Sequence, residues 1–303
     1  MTPLQLAQGG ASVEEQRHAL RELLVRGGIS GRGLELLEEF SAPGVMFVVG
    51  EAGESLVGAP DPVLVPSAWR WPQNEDGPLA LIAEIQLDSI VGIDQLSLAQ
   101  PSGSLLFFHQ EAPVHDAPRL ENCHVLHIPA GTPRVPSDVV VEHVGIQLHT
   151  GSNATGWTPL RTGQYRPPRI RGWAAHLVRR DGLAEAFEAA DLWDDYAVIH
   201  PTLDCYWERA LWFLLSGPSS SSTVGHTIRS WFTSDHDSEP DREHFSESER
   251  NGEGWLPLMN TYAVQRDDME LEWADGGSLT YCIPATDLAQ WRFDRVICLL
   301  NSA

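Results

Sequence analysis

Two short apolar runs in the first third of the chain limit its fold more than any other feature. The first is Pro78-Leu-Ala-Leu-Ile-Ala-Glu84-Ile-Gln86-Leu-Asp88 and the second is Gly103-Ser-Leu-Leu-Phe-Phe108. Both are short and bounded by turn residues, so they read as buried strands joined by a polar loop. They are approached through Ser55-Leu-Val-Gly58 and a turn at Trp69-Arg-Trp71-Pro72, where proline fixes the backbone. Alternation along the first strand puts Leu79, Leu81, Ala83, Ile85 and Leu87 on one face, and Ala80, Ile82, Glu84 and Gln86 on the other. The first face must be core. On the second, Glu84 and Gln86 stand about 7 Å apart, the spacing of i and i+2 in a strand. A carboxylate beside an amide at the end of a central strand is a place for a ligand. The plainer reading is a half-exposed face on which Glu84 pairs with an arginine.

A chain of 303 residues can bury one large core or two modest ones. Acidic residues outnumber basic ones 42 to 20, a formal net charge of −22, which repels phosphate backbones and acidic membranes, so nucleic acid is not the expected partner. Every basic residue is arginine. Without lysine there is no Schiff base, no lysine-bound pyridoxal phosphate and no P-loop or kinase-type lysine. The four cysteines (Cys123, Cys205, Cys282, Cys298) are far apart, and the first residues carry neither a cationic opening nor a continuous apolar core. Reduced thiols and a cytoplasmic location are the expectation. No apolar run approaches the roughly 20 residues of a membrane span.

Ser12 and Glu15 form a capping-box signature for a helix over residues 12–27, stopped by Gly27-Gly28. Ser30 opens a second helix through Phe40, with Gly31-Arg-Gly33 as a plain interhelical turn. Val45–Val49 reads as a strand. Residues 183–199 and 202–215 read as two helices divided by His200-Pro201, with a flexible connection at Ser219–Ser222. Ser234–Gly254 is acidic and almost free of apolar residues, and reads as mobile. The last 50 or so residues return to strands at Leu256–Val264, Ser278–Ile283 and Val296–Leu300, with a turn at Trp273-Ala-Asp-Gly-Gly277 and a short helix from Thr286.

Between His109 and Thr150 the chain alternates short strands (Val125–Ile128, Val139–Val141, Val144–Leu148) with proline-rich turns, and carries His109, His115, His124, His127, His143 and His149. Those on one strand at a spacing of three point to opposite faces, and no zinc-type spacing occurs, so structural histidines and no metal are expected. The one basic island, Arg161, Arg166, Arg169, Arg171, Arg179 and Arg180, is interleaved with Tyr165 and Trp173. It can hold an anion, or it can be compensated internally by the acidic segment that follows.

Two segments share a plan. Pro78–Phe108 and Pro257–Cys282 each hold a strand entered by Pro-Leu, a polar loop and a strand opening Gly-Ser-Leu, with Gly103-Ser-Leu-Leu-Phe107 matched by Gly277-Ser-Leu-Thr-Tyr281. Without gaps, Gln86 and Asp88 fall on Gln265 and Asp267; another alignment sets Glu84 against Asn260. The echo predicts an α+β fold: a two-lobed, mainly antiparallel β body with flanking helices and an internal duplication. The expected division is an N-terminal helical segment, 1–44, and a domain, 45–303, with lobes near 45–160 and 220–303 and a helical insert at 181–216.

Ser55-Leu-Val-Gly58, Trp71-Pro72, Ala83-Glu84-Ile-Gln-Leu87, Gly103–Phe108, Val224-Gly-His226, Leu256–Asn260, Trp273-Ala-Asp275-x-Gly277 and Asp287-Leu288…Phe293, in this order, resemble the YwqG-like family of bacterial domains of unknown function. The resemblance implies a mixed α+β fold and brings no catalytic residues. The family usually has glutamine at Glu84 and at Asn260, Gly-Gly at Gly58-Ala59, and Gly-Tyr/His-Pro at Gly225-His226-Thr227.

Two functions compete. One is a non-enzymatic binding or regulatory protein that neutralises a basic protein partner, as acidic immunity proteins do; the negative charge, the Trp and Arg content and the lack of a catalytic motif favour it. The other is an enzyme or small-ligand binder using a cleft between the lobes, with Glu84, Gln86, His226, Asn260, Trp273 and Asp275 as candidate residues. Arg161, Arg166, Arg169 and Arg171 are candidates for an anion. No cofactor is expected.

Overall fold

The structure is a computed structural model that describes residues 3–49, 53–57, 62–75, 77–96, 102–110, 120–137, 139, 146–147, 169–178, 182–207, 212–214, 228–230, 232, 242–262, 264–266, 269–271 and 278–301. It is α+β. Helices α1 (Pro3–Gln8), α2 (Val13–Gly27) and α3 (Gly31–Glu39) precede β1 (Ser41–Val49). The strands that follow are β2 (Ser55–Val57), β3 (Leu64–Pro66), β4 (Gln73–Asn74), β5 (Gly77–Pro78), β6 (Ala80–Gln86), β7 (Ser104–His109), β8 (Cys123–Ile128), β9 (Arg134–Pro136), β10 (Ile146–Gln147) and β11 (Arg169–Val178). Helices α4 (Leu183–Ala189) and α5 (Trp193–Trp207) lead to β12 (Trp212–Leu214), β13 (Trp255–Tyr262), β14 (Val264–Arg266), β15 (Met269–Leu271), β16 (Ser278–Pro284) and β17 (Ile297–Asn301).

Local chemistry sets the helix ends. Ser12 accepts from the Glu15 amide while the Glu15 carboxylate accepts from the Ser12 amide, and Gly28 closes α2 with φ +96°. Ser30 caps α3, and Asp195 of α5 accepts in turn from the Ser30 amide at 2.7 Å. Leu20 and Leu24 of α2 and Leu34 and Leu37 of α3 pack on Met46, Ala175 and Leu177 of the sheet. Gln16, fully buried, fastens α2 to β11 by donating to the Ala174 carbonyl and accepting from the His176 amide.

Ten strands form one antiparallel sheet in the order β17-β16-β13-β12-β1-β11-β2-β6-β7-β8. Its two ends come together: the Cys123 thiol of β8 donates to the Val296 carbonyl beside β17 at 3.1 Å. A single interior cluster accordingly draws on both ends, including Phe47, Ala83, Ile85, Phe107, Val125, Leu258, Tyr281 and Cys298. Outside, helices cover the centre, the β3–β9 ribbon with Trp69 and Trp71 covers β6 to β8, and Ile228, Phe232 and Phe245 cover β13 to β17.

The pairing diagram maps onto itself about the β1–β11 pair. β6, β7 and β8 stand third, fourth and fifth from the centre on one side; β13, β16 and β17 do so on the other. Each inner strand carries a bulge at the same place, Ile82 between Leu81 and Ala83 in β6 and Leu258 between Pro257 and Met259 in β13. Beyond the bulge, Ala83 faces Phe107 and Met259 faces Tyr281; Glu84 faces Leu106 and Asn260 faces Thr280. Of the two sequence alignments, this is the one that sets Glu84 against Asn260. The two lobes are thus halves of one continuous sheet.

Several expectations need correction. The bulge breaks the alternation in β6: Ala80, Ile82, Ala83 and Ile85 all face the interior, while Leu79 and Leu81 share the outer face with Glu84. The break between the two expected helices falls at 190–192 rather than at His200-Pro201: α4 ends at Ala189, α5 runs through Pro201 to Trp207, and the segment expected to continue as helix holds strand β12. Within the segment expected to be mobile, residues 242–254 hold a turn at Arg242–His244 and a capped helix at Glu247–Arg250, anchored by buried Phe245. The expected strand over Val139–Val141, the connection at Ser219–Ser222 and the turn at Trp273–Gly277 lie wholly or mostly outside the described residues.

Candidate functional site

Glu84 lies on the outer face of β6 and is 5% exposed. Its Oε1 accepts from Arg134 Nη1 at 2.6 Å and from Gln86 Nε2 at 2.6 Å. Arg134 comes from β9, so the ion pair ties the β3–β9 ribbon to the sheet. The second guanidinium arm donates to Ser104 Oγ, which donates onward to Gln86 Oε1 at 2.7 Å. Ser55 Oγ accepts from the Gln86 amide at 3.0 Å. The side chains of Glu84, Arg134, Ser104 and Gln86 close a ring of bonds in which carboxylate, amide and guanidinium satisfy one another, and Ser55 holds the Gln86 backbone beside it. Such a ring fixes a register and a ribbon, and its carboxylate is engaged by a cation.

Asn260 occupies the matching place on β13, also buried, with β12, β1, β11 and β2 between it and Glu84. Alternation puts both side chains on the outer face, so they do not look at each other across a cleft. At about 4.8 Å per strand, the path between them along the sheet is on the order of 24 Å. His226, Trp273, Asp275, Arg161 and Arg166 lie outside the described residues. Arg169 and Arg171 share the exposed face of β11; Arg169 Nη1 donates to the Gly53 carbonyl at 3.2 Å, and the Arg171 guanidinium lies 5.5 Å from the Trp173 ring centre.

The interior holds groups that the sequence did not single out together. His109 is buried, and desolvation pushes its pKa down to about 4, against the bond from its ring to the Asn122 carbonyl. Burial pushes the Cys123 thiol up to about 12 and raises Cys282, Cys298 and Tyr281 well above their ordinary values. These are neutral, protonated groups, unsuited to nucleophilic attack. Among the described residues, no group of three or more His, Cys, Asp and Glu is placed to hold a metal ion. His115, His143 and His149 lie outside the described residues.

Sequence reasoning also missed a buried ionic corner after β16. Asp287, 2% exposed, accepts from Arg292 Nη2 and Arg295 Nε, each at 2.6 Å, and Arg295 continues to Glu249 at 3.0 Å. The only signal was the sequence Asp287…Arg292…Arg295 itself, whose spacing matches no named motif.

A family model described as a domain of unknown function, DUF1963, matches residues 56–301. The chain belongs to the DUF1963 family. The match begins within β2 and ends with β17, so it takes in all six strands that carry the echo. Helices α1 to α3 and strand β1 precede it, although β1 lies at the centre of the sheet. No curated protein matches the chain. No helix among the described residues is long and apolar enough to cross a membrane.

Proposed function

We propose that this DUF1963 protein is a cytoplasmic binding or regulatory protein without catalytic activity, and that it captures a basic protein partner. The observation that carries this reading is the closed ring at Glu84. The most promising carboxylate for acid-base work is taken up by Arg134 and Gln86, and serves to hold a ribbon on a sheet. The net charge of −22 then becomes the chain's main chemical asset, because such a field speeds encounter with a cationic surface. The test is a pull-down with the full chain at low and high salt. A basic protein retained at low salt and released at high salt is expected; no basic partner at either would sink the reading.

The matched bulges also support an internal duplication; the order of the sequence landmarks supports the finer YwqG-like likeness, with 45–303 as the domain and 1–44 as a helical segment. An experimental structure in which the two bulges fell at non-equivalent pairs would remove the duplication.

A further inference from the structure

Trp193 is the most exposed of the large apolar side chains among the described residues, at 55%. It is the first residue of α5, and its ring stacks on Tyr196 with centres 5.1 Å apart and planes at 27°. Tyr196 in turn packs on the buried ring of Phe187 from α4, with centres 6.0 Å apart. The indole is therefore held by a stack rooted in the core, yet keeps more than half of its surface in water. A ring fixed before contact loses little freedom on binding, and Trp and Tyr are residue types that anchor interfaces.

The surroundings of this face carry one sign of charge. From Gly182 to Trp207 the chain has no lysine or arginine, and Glu185, Glu188, Asp191 and Asp194 are all exposed. Among the described residues, none of these four is paired with an arginine. Arg26, at the end of α2 where Gly27 meets Val198 of α5, donates to the Glu22 carbonyl instead. The Asp191 and Leu192 amides bond back to the Glu188 and Phe187 carbonyls at 3.0 and 2.9 Å, a tight turn that gathers Glu188, Asp191 and Asp194 at the end of the helix pair that holds Trp193. Local stability does not ask for all of these charges. The helix dipole favours Asp194 in the first turn of α5, but it disfavours Glu188 in the last turn of α4, and Asp191 holds φ +56°.

Given the reading above that the chain captures a basic protein, we propose that the Trp193–Tyr196 face, bordered by Glu188, Asp191 and Asp194, is the surface on which that partner docks, taking one of its arginine side chains against the indole. A guanidinium over an indole gains cation–π attraction, and carboxylates at the rim supply the paired acceptors that fix its orientation. The same charges repel an acidic or phosphate-bearing partner.

The experiment titrates a fluorescein-labelled hexa-arginine peptide with the full chain at low salt and follows anisotropy. Trp193→Ala is expected to weaken binding about tenfold, and Trp193→Phe by less. Two double variants that remove equal charge separate the surface from the overall field: Asp191→Asn with Asp194→Asn at the face, and Glu247→Gln with Glu253→Gln, exposed acids near Phe245 on the cover of β13 to β17. The first should lose about fivefold and the second less than about twofold. Equal losses in the two, or an unchanged affinity in a folded Trp193→Ala, overturn the docking surface and leave capture of a basic partner by the whole field standing. A wild type that does not bind the peptide also overturns it, and the pull-down with the full chain then judges the broader reading on its own. Should Trp193→Ala not fold, the two charge variants decide.

Discussion

Glu84 and Asn260 hold the same place in the two halves of one sheet, each two residues beyond a bulge and each facing the outer side of the neighbouring strand. They differ in what they meet. Glu84 has acquired Arg134 at 2.6 Å from a ribbon laid over its half. Removing the cation leaves a carboxylate buried without a counter-charge. Arg134→Met is expected to lower the unfolding free energy by about 3 kcal/mol, Glu84→Gln by less, and the double variant to recover part of the loss. Urea denaturation of the three variants measures this; an Arg134→Met midpoint equal to the wild type would rule out the clasp.

His109 makes stability depend on pH with a definite sign. Its folded pKa, about 4, lies below the ordinary 6.5, so between those values the unfolded chain takes up a proton that the folded chain refuses. The contribution is fully present above pH 6.5 and is lost as pH falls through 4, about 3 kcal/mol in all. Denaturant titrations between pH 7 and 4 should show this slope, reduced in His109→Gln. An equal slope in the variant would assign the effect to other groups.

Thiol chemistry gives a simple readout of the seam. Cys123, Cys282 and Cys298 are buried, with thiols pushed far from ionisation. In a Cys205→Ser background, a thiol reagent at pH 8 should label none of the three until denaturant is added. Rapid labelling of the native protein would show that the ends of the sheet open readily.

Trp291 holds φ +55°, a conformation costly for a bulky side chain, while its ring is buried against His127 and Phe293. Trp291→Gly relieves about 1 kcal/mol of backbone strain but forfeits about 3–5 kcal/mol of burial. A net loss of about 3 kcal/mol is expected by chemical denaturation. A gain in stability would mean that the ring contributes little.

Gly103 opens β7 with φ +89°, and a Cβ there would collide with the Ile128 carbonyl. Gly103→Ala should therefore cost at least about 2 kcal/mol, combining backbone strain with a displaced strand β8. Thermal melting decides this; an unchanged midpoint would show that the turn relaxes freely.

Much of the fold was legible because its signals were local. Ser12 with Glu15 marked α2, and the apolar runs marked β6, β7, β13 and β16 before any pairing was known. What escaped was decided at a distance. The bulge at Ile82 left no trace because the residues around it, Leu79 to Ala83, are all apolar, so a one-residue slip there alters no pattern. Strand β11, at the centre of the sheet, was hidden behind Arg169 and Arg171, which mark its exposed end while Ile170 and Ala174 enter the core. Arg134 was unremarkable in sequence because β9 is only Arg134–Pro136, and the residue gains its meaning from Glu84, fifty positions earlier. Pro201 suggested a boundary that α5 overrides.

The placement of β1 sets a timetable for folding. Val49 pairs with Ile170 and Phe47 with Trp212, so this strand leaves the ribosome long before either neighbour exists. Until then both of its edges are open, and Met46 and Phe47 have no sheet to enter. Pairing across such separations is slow. The capped helices α2 and α3, complete before β1 is made, carry the apolar residues Leu20, Leu24, Leu34 and Leu37 that pack on Met46 in the folded protein, so they are the first native partners available to this strand.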